Sequence, residues 1–174
     1  MIDKLEIGSG HYGLGGDYVT LDKYEPADIC ADMSNIPLAD CVVVGHIHCE
    51  HTLEHLTHRG AYVALIEMYR ILAPGACLKL IVPDLDWTMR QFLDEENYDK
   101  KWGLCHSRLF GSQIHEGEYH KTGFTLDRIT GLVIKAKFEI EEAAVAWNPR
   151  HNQPDIQITA RKPKPLFRGV RSSP

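Results

Sequence analysis

Short apolar runs separated by turn residues dominate the chain, and helical periodicity lies between some of them. The run at residues 40–45 is continuous, as is typical of a parallel strand buried on both faces. Apolar residues at helical spacing predict an amphipathic helix over residues 61–72, and Thr125 is placed to cap a second helix. The other predicted strands cover residues 5–7, 18–21, 28–31, 77–82, 138–147 and 155–160.

This alternation of strands and helices indicates an α/β fold with a doubly wound, mostly parallel sheet in a three-layer α/β/α arrangement. Residues 155–160 alternate in polarity after a turn, so they predict a C-terminal antiparallel strand. Only a loop separates the first two strands, which means that the first crossover helix is missing or reduced to a turn. One domain is predicted over residues 1–161, and the basic residues 162–174 are predicted to be a flexible tail.

Composition and charge indicate which partners and which cellular compartment this domain has. The chain has 174 residues, 44% of them hydrophobic, and its net charge of -5 argues against a nucleic-acid partner. Its five cysteines are odd in number and form no C-x-x-C pair, so we expect buried free thiols in a reducing compartment. We find neither an N-terminal leader nor an apolar run of about 20 residues, which predicts a cytoplasmic protein without a membrane partner.

Glycine and polar residues follow four predicted strands at one edge of the sheet. Gly8 comes after the first strand, Asp22 after the second, Asp32 after the third and residues 46–48 after the fourth. Ligands of doubly wound folds bind outside this edge, near the switch in strand order. Asp22 could accept hydrogen bonds from two ribose hydroxyls, and Asp32 one from an exocyclic amine, with Met33 against a flat ring. Both aspartates could instead cap loops.

Five short stretches carry a resemblance to a known family. They are LEIGSG at residues 5–10, Asp22 closing a strand, Asp32-Met33 with Ile36-Pro37, HTLEHL at residues 51–56 and YRILAPG at residues 69–75. In this order they resemble the class I S-adenosylmethionine-dependent methyltransferases, and among these the small type-11-like members with a shortened first crossover. The resemblance implies a Rossmann-like fold and S-adenosylmethionine as the cofactor.

The same resemblance implies roles for individual residues. The methionine part of the cofactor would be surrounded by Glu6, Gly8 and Gly10. The ribose would be held by Asp22, and the adenine by Asp32 and the backbone of Met33. The pocket near the sulfonium would be lined by His46, Ile47 and His48.

The acceptor and the base are less strongly indicated. Methyl displacement requires orientation by the protein and, for some acceptors, a base. No Asn/Asp-Pro-Pro-Tyr-type motif follows the fourth strand, which argues against amide or nucleobase amino groups and favours a hydroxyl or carboxyl of a small molecule or glycan precursor. Because histidine titrates near neutral pH, the candidate bases are His48, His51, His115 and His120.

Two other functions stay open. Residues 51–55 fit the pattern H-x-x-E-H, and on a helix His51 and His55 would share a face, as the ligands of a zinc hydrolase require. The third ligand could then come from Glu116, Glu118 or His120. We expect no resident metal, because the methyltransferase-like pattern accounts for the same stretch. The other alternative is a non-catalytic, degenerate methyltransferase-like binding module. An acceptor pocket or a homodimer contact could be formed by Trp87, Phe92, Tyr98, Trp102 and Phe110.

Overall fold

A seven-stranded sheet organises the chain. The structure is a computed structural model that describes residues 1–10, 13–24, 26–94, 96, 99 and 101–165. Its strands are β1 (Ile2–Ile7), β2 (Val19–Asp22), β3 (Ile29–Cys30), β4 (Val43–Glu50), β5 (Cys77–Pro83), β6 (Glu139–Asn148) and β7 (Gln153–Arg161). Their order is β3-β2-β1-β4-β5-β7-β6, with β7 antiparallel to both of its neighbours. The predicted Rossmann-like α/β fold, mostly parallel with a C-terminal antiparallel strand, is confirmed.

The helices follow from the capping and periodicity of the sequence. Those that the described residues form are α1 (His58–Ile71), α2 (Leu85–Asp94), α3 (His106–Phe110) and α4 (Leu126–Lys135). Thr57 and Thr125 cap α1 and α4, since their side chains accept hydrogen bonds from backbone N–H groups of the first turn. Between α2 and α4, π-helical Lys101–Cys105 continues into α3, and a 3-10 turn spans Glu116–Glu118.

Alternate residues of the central strands form the main core. Leu5 of β1 lies opposite Ile47 of β4, which lies opposite Leu78 of β5, and all three are fully buried. Successive side chains of a strand point to opposite faces, so this row belongs to a single face of the sheet. The same core includes buried residues of two connecting helices, namely Ala61, Ala64, Leu65, Met68 and Ile71 of α1 and Ile129, Leu132 and Val133 of α4.

Loops rather than helices connect the first half of the sheet. The described residues between β1 and β2, and between β2 and β3, contain no helix, as the sequence predicts for the first crossover. Arg70 of α1 fixes the β3–β4 link, because its guanidinium donates to the backbone oxygens of Leu38 at 2.6 Å and Ile36 at 2.9 Å. The carboxyl ends of β1 to β4 are therefore bordered by loops.

Strand β4 runs further than the sequence predicts. Its last residues pair with β1 up to Cys49 and with β5 up to Glu50, whereas the sequence predicts that the strand ends at residue 45. His46, Ile47 and His48 consequently lie within β4 and not after it. The only helical element in this stretch of described residues is a 3-10 turn at Leu53–His55.

The ordered fold also continues past residue 161. Lys162, expected to begin the flexible tail, is buried, and its ammonium donates to the backbone oxygens of Tyr69 and Leu72, each at 2.7 Å. Residues 166–174 lie outside the described residues.

All five cysteines are free thiols, but Cys30 and Cys41 are exposed and not buried as expected. No helix in the described part of the chain has the length and apolar character needed to span a membrane.

Candidate functional site

A cleft of about 480 Å³ opens at the carboxyl edge of the sheet, where the strand order reverses between β1 and β4. This is the edge at which the sequence places a ligand crevice. Residues lining it include Glu6, Gly8, Ser9, Gly10, Asp22, Asp32, Met33, Glu50, His51, Thr52, His55, His115, His120 and His151. Of the residues implied to hold a cofactor, six therefore meet in one cleft.

The glycine turn after β1 needs glycine for two different reasons. Gly8 has a φ of 78°, and a Cβ at this position would collide with the side chain of Thr52. Gly10 has a φ of 53° but faces open space. The backbone N–H of Gly8 donates to the oxygen of Leu21 at 2.8 Å, which joins the turn to the end of β2. The turn is thus closed on one side and open toward the cleft.

Asp22 and Asp32 are carboxylates held in place by backbone groups. Asp22 accepts from the N–H groups of Gly10 and Tyr24, both at 2.9 Å, through different oxygens. Asp32 accepts from the N–H of Ser34 at 2.9 Å and from its hydroxyl at 2.7 Å, and Lys23 lies 3.5 Å away. Burial raises the pKa of Asp32, but Ser34 and Lys23 outweigh it and the net pKa is lowered. Because each carboxylate oxygen offers two lone pairs, both side chains retain acceptor capacity.

Glu6 supports the glycine-rich loop. It is 4% exposed, and its two oxygens lie 3.1 Å and 2.8 Å from the N–H of Leu14, which donates to them. The carboxylate therefore holds the glycine-rich loop at Leu14 beside the cleft. The sequence motif identifies Glu6 as a site residue but does not reveal this contact, which joins residues eight positions apart across a turn.

The residues expected near the sulfonium are placed elsewhere. Ile47 is in the main core, and His46 is bonded through Nε2 to the hydroxyl of Tyr18 at 2.6 Å. His48 is buried and lies 3.1 Å from a carboxylate oxygen of Glu50. None of the three is among the described residues that line the cleft. The positions after β4 are instead taken by Glu50, His51 and Thr52, because the strand ends later than predicted.

The wall after β4 is a charged network that sequence reasoning missed. Asn148, at the end of β6, donates to Glu50 and to Asp155, both at 2.8 Å. Hydrogen bonds from His151 and His48 are the main reason why the pKa of Glu50 lies far below its usual range. Except for His48, these partners lie in and around the β6–β7 turn, about a hundred positions from Glu50, and no local sequence signal connects them to it.

His51 is an ion-pair partner within this wall. Its Nε2 lies 2.8 Å from Asp155, and its ring stacks on His151 with centroids 3.6 Å apart. Burial lowers the pKa of His51, but Asp155 and the nearby carboxylates Glu54 and Glu50 outweigh it, so the net pKa is raised. The contact with Asp155 occupies Nε2, so Nδ1, 3.8 Å from Glu54, is the nitrogen of His51 left to accept a proton.

The expected H-x-x-E-H helix is not formed. His51 has a φ of 48° and precedes a 3-10 turn of three residues, so it does not share a helix face with His55. The structure instead brings together Glu54, His55 and His120, one potential ligand atom of each lying within 4.8 Å of the others. Burial is the main reason why the pKa of His120 is lowered.

The other candidates are more peripheral. His115 lines the cleft but is exposed, 3.5 Å from Glu118. Phe92 and Trp102 contact each other with ring centroids 5.5 Å apart, and the aromatic residues placed in a possible acceptor pocket are not among the described residues of the cleft. Tyr98 lies outside the described residues.

Comparisons with known proteins agree on the fold. No protein-family model matches the chain, and no curated protein matches it. Among solved structures, a 1,6-didemethyltoxoflavin-N1-methyltransferase from Burkholderia thailandensis is 14% identical with a TM-score of 0.62, covering 92% of this chain and 71% of its own. A SAM-dependent methyltransferase from Methanosarcina mazei is 17% identical with a TM-score of 0.61, covering 95% of each chain.

A third similar structure points the same way. It is a SAM-dependent methyltransferase, described as a possible histamine N-methyltransferase, from Thermotoga maritima. It is 16% identical with a TM-score of 0.63 and covers 92% of this chain and 82% of its own. The chain therefore has the fold of the S-adenosylmethionine-dependent methyltransferases, as its sequence resemblance implies.

Proposed function

We propose that this protein is an S-adenosylmethionine-dependent methyltransferase that binds its cofactor in the cleft. The observation that carries the proposal is the meeting of the Gly8 turn, Asp22 and Asp32 at the topological switch point of a methyltransferase fold. Each of the two carboxylates is fixed by backbone N–H groups before any ligand arrives. Such preorganisation reduces the entropy lost on binding.

In this proposal, different residues of the chain bind different parts of the cofactor. Asp22 accepts hydrogen bonds from the ribose, Asp32 accepts one from the adenine amino group, and Met33 lies against the ring. The open side of the Gly8–Gly10 turn receives the methionine part, and Glu6 keeps the loop in place. The bound cofactor supplies an electrophilic methyl group, while the protein orients the acceptor and excludes water.

The remaining wall of the cleft is proposed to receive the acceptor, a small molecule with a hydroxyl or carboxyl group. The similar Burkholderia thailandensis enzyme is described with a bound small molecule, 1,6-didemethyltoxoflavin. Among the candidate bases, His120 fits best, because it lines the cleft and its lowered pKa leaves it neutral and able to accept a proton near pH 7. A cytoplasmic location remains part of the proposal.

Calorimetry with S-adenosylhomocysteine tests the proposed site. The wild-type protein should bind one ligand per chain, and Asp22→Asn should weaken binding by about tenfold or more, as expected for one charge-assisted hydrogen bond. The matched control is Asp17→Asn, because Asp17 is exposed on the same loop and pairs only weakly with Lys4.

The outcomes separate the candidate functions. Equal affinities of the Asp22→Asn and Asp17→Asn variants would contradict the proposed ribose contact. Absence of binding in the wild-type protein would overturn the methyltransferase proposal. Tight binding without methyl transfer to any hydroxyl or carboxyl acceptor tested would favour the non-catalytic binding module.

A further inference from the structure

A buried carboxylate without a hydrogen-bond donor lies behind the wall of the cleft. Glu54 is 2% exposed, and neither of its side-chain oxygens accepts a hydrogen bond. The nearest charged partner, Nδ1 of His51, is 3.8 Å from Oε1, which is beyond hydrogen-bond distance. A buried carboxylate is strongly destabilising unless it is hydrogen-bonded, paired or bound to a metal. Glu54 therefore points to a ligand that supplies positive charge.

Two imidazoles beside Glu54 are oriented as metal ligands are. Nδ1 of His120 lies 3.0 Å from the backbone oxygen of Arg108, and Nδ1 of His55 lies 3.3 Å from that of Tyr119. A carbonyl oxygen only accepts, so in each neutral ring Nδ1 carries the proton and Nε2 keeps its lone pair. Metal-bound histidines are oriented by this kind of contact from the nitrogen that does not bind the metal.

The backbone joins these residues although they are far apart in sequence. The N–H groups of Lys121 and Thr122 both donate to the backbone oxygen of Glu54, at 2.8 Å and 3.2 Å. The segment that carries His120 is thereby fixed against the turn that carries Glu54 and His55. The cluster is part of the folded scaffold and does not depend on flexible surface side chains.

We propose that Glu54, His55 and His120 bind one divalent transition-metal ion, of which zinc is the best match. Two imidazoles and one carboxylate form a ligand set of catalytic zinc sites, which keep a fourth position open. Tetrahedral ligands at 2.0–2.1 Å from zinc are about 3.4 Å apart, and the present atoms lie within 4.8 Å of one another, so side-chain rotation would have to close the remaining gap.

The open position of this metal faces the cleft, because His55 and His120 both line it. It would take an oxygen donor, either water or an acceptor hydroxyl or carboxyl. With zinc bound, Nε2 of His120 would be a ligand and not a base, so the two roles proposed for His120 exclude each other. The role of the metal in binding an acceptor rests on the proposed methyltransferase function, whereas metal binding itself does not. This ligand set differs from the predicted zinc-hydrolase pattern, since His51 is bonded to Asp155 and Glu54 takes its place as a ligand.

The test is a zinc titration of tag-free protein after treatment with a chelator, without S-adenosylmethionine. Bound metal is quantified by elemental analysis, and affinity by calorimetry. We expect one zinc per wild-type chain and an affinity about 100-fold lower or more in Glu54→Gln and in His120→Asn, because loss of even an outer-shell partner costs about 10–100-fold. The ligand-field absorption of Co²⁺ should report the same losses.

The matched control is His115→Ala, which removes a histidine of the same segment from the cleft but leaves the three ligands in place. Its zinc affinity should equal that of the wild type, and circular dichroism of each metal-free variant should match that of the wild type. Absence of a wild-type zinc site overturns the inference. The inference is also overturned if Glu54→Gln and His120→Asn change the zinc affinity no more than His115→Ala does. Failure of cofactor binding leaves this titration unaffected.

Discussion

The two walls of the cleft are built by contacts between residues that lie at very different separations in sequence. On the wall formed by β1 to β3, Asp22 is fixed by Gly10 and Tyr24, which are 12 and 2 positions away. On the wall after β4, His51 meets Asp155 across 104 positions, and Glu50 meets Asn148 across 98. The first wall is fixed by contacts within a short stretch of sequence, whereas the second is assembled only by the complete fold. Local motifs therefore identify the cofactor side better than the acceptor side.

The largest effect is expected from Gly8→Ala, which tests whether the first wall depends on backbone shape. The alanine would have to adopt a left-handed conformation and collide with Thr52, which should lower the free energy of unfolding by about 3 kcal/mol. Gly10→Ala is the matched control. Gly10 also has a positive φ, but a Cβ there would meet open space, so the free energy of unfolding should fall by only about 1–2 kcal/mol. Equal losses in denaturant unfolding would contradict the tight contact at Gly8.

A smaller effect is expected from Arg70→Met, which tests whether a charged side chain replaces a helix in the β3–β4 link. Removing the guanidinium leaves the backbone oxygens of Leu38 and Ile36 without these donors and breaks an ion pair with Glu67 at 2.8 Å. We expect a loss of about 2 kcal/mol in the free energy of unfolding. Arg59→Met, at an exposed position of the same helix, should be nearly neutral. Comparable losses would show that the link does not depend on Arg70.

The smallest effect is expected from Glu50→Gln, which tests the charge network of the second wall. The folded-state pKa of Glu50 is lowered, so its charge stabilises the protein above the unfolded-state pKa of about 4.3, and this contribution is lost as the pH falls below it. The variant should be less stable by about 1 kcal/mol at pH 7, after allowance for solvent screening. In denaturant unfolding, the difference in the free energy of unfolding between the variant and the wild type should be smaller at pH 4 than at pH 7. A difference that grows toward low pH would contradict the account.

The sequence predicted the sheet, the cap of α4 and the lost first crossover because each has a local signal. It placed the end of β4 too early, because polar residues such as His46 and His48 look like the end of a buried strand. Their backbone pairing with β1 and β5 overrides that signal. It also missed Asp155 and His151, whose roles depend on the β6–β7 turn folding back beside β4. Lys162 looked like part of a basic tail, since its buried acceptors are carbonyls some 90 positions away.

The central claim is that the carboxyl edge of β1 to β3 is the cofactor site, and hydrogen–deuterium exchange with and without S-adenosylhomocysteine tests it most directly. A ligand at 100 times its dissociation constant adds about 2.7 kcal/mol to stability, which is enough to slow local opening measurably. We predict the strongest added protection in peptides that contain residues 8–10, 22–24 and 32–34. Unchanged exchange at saturating ligand, or protection confined to other parts of the chain, would contradict the claim.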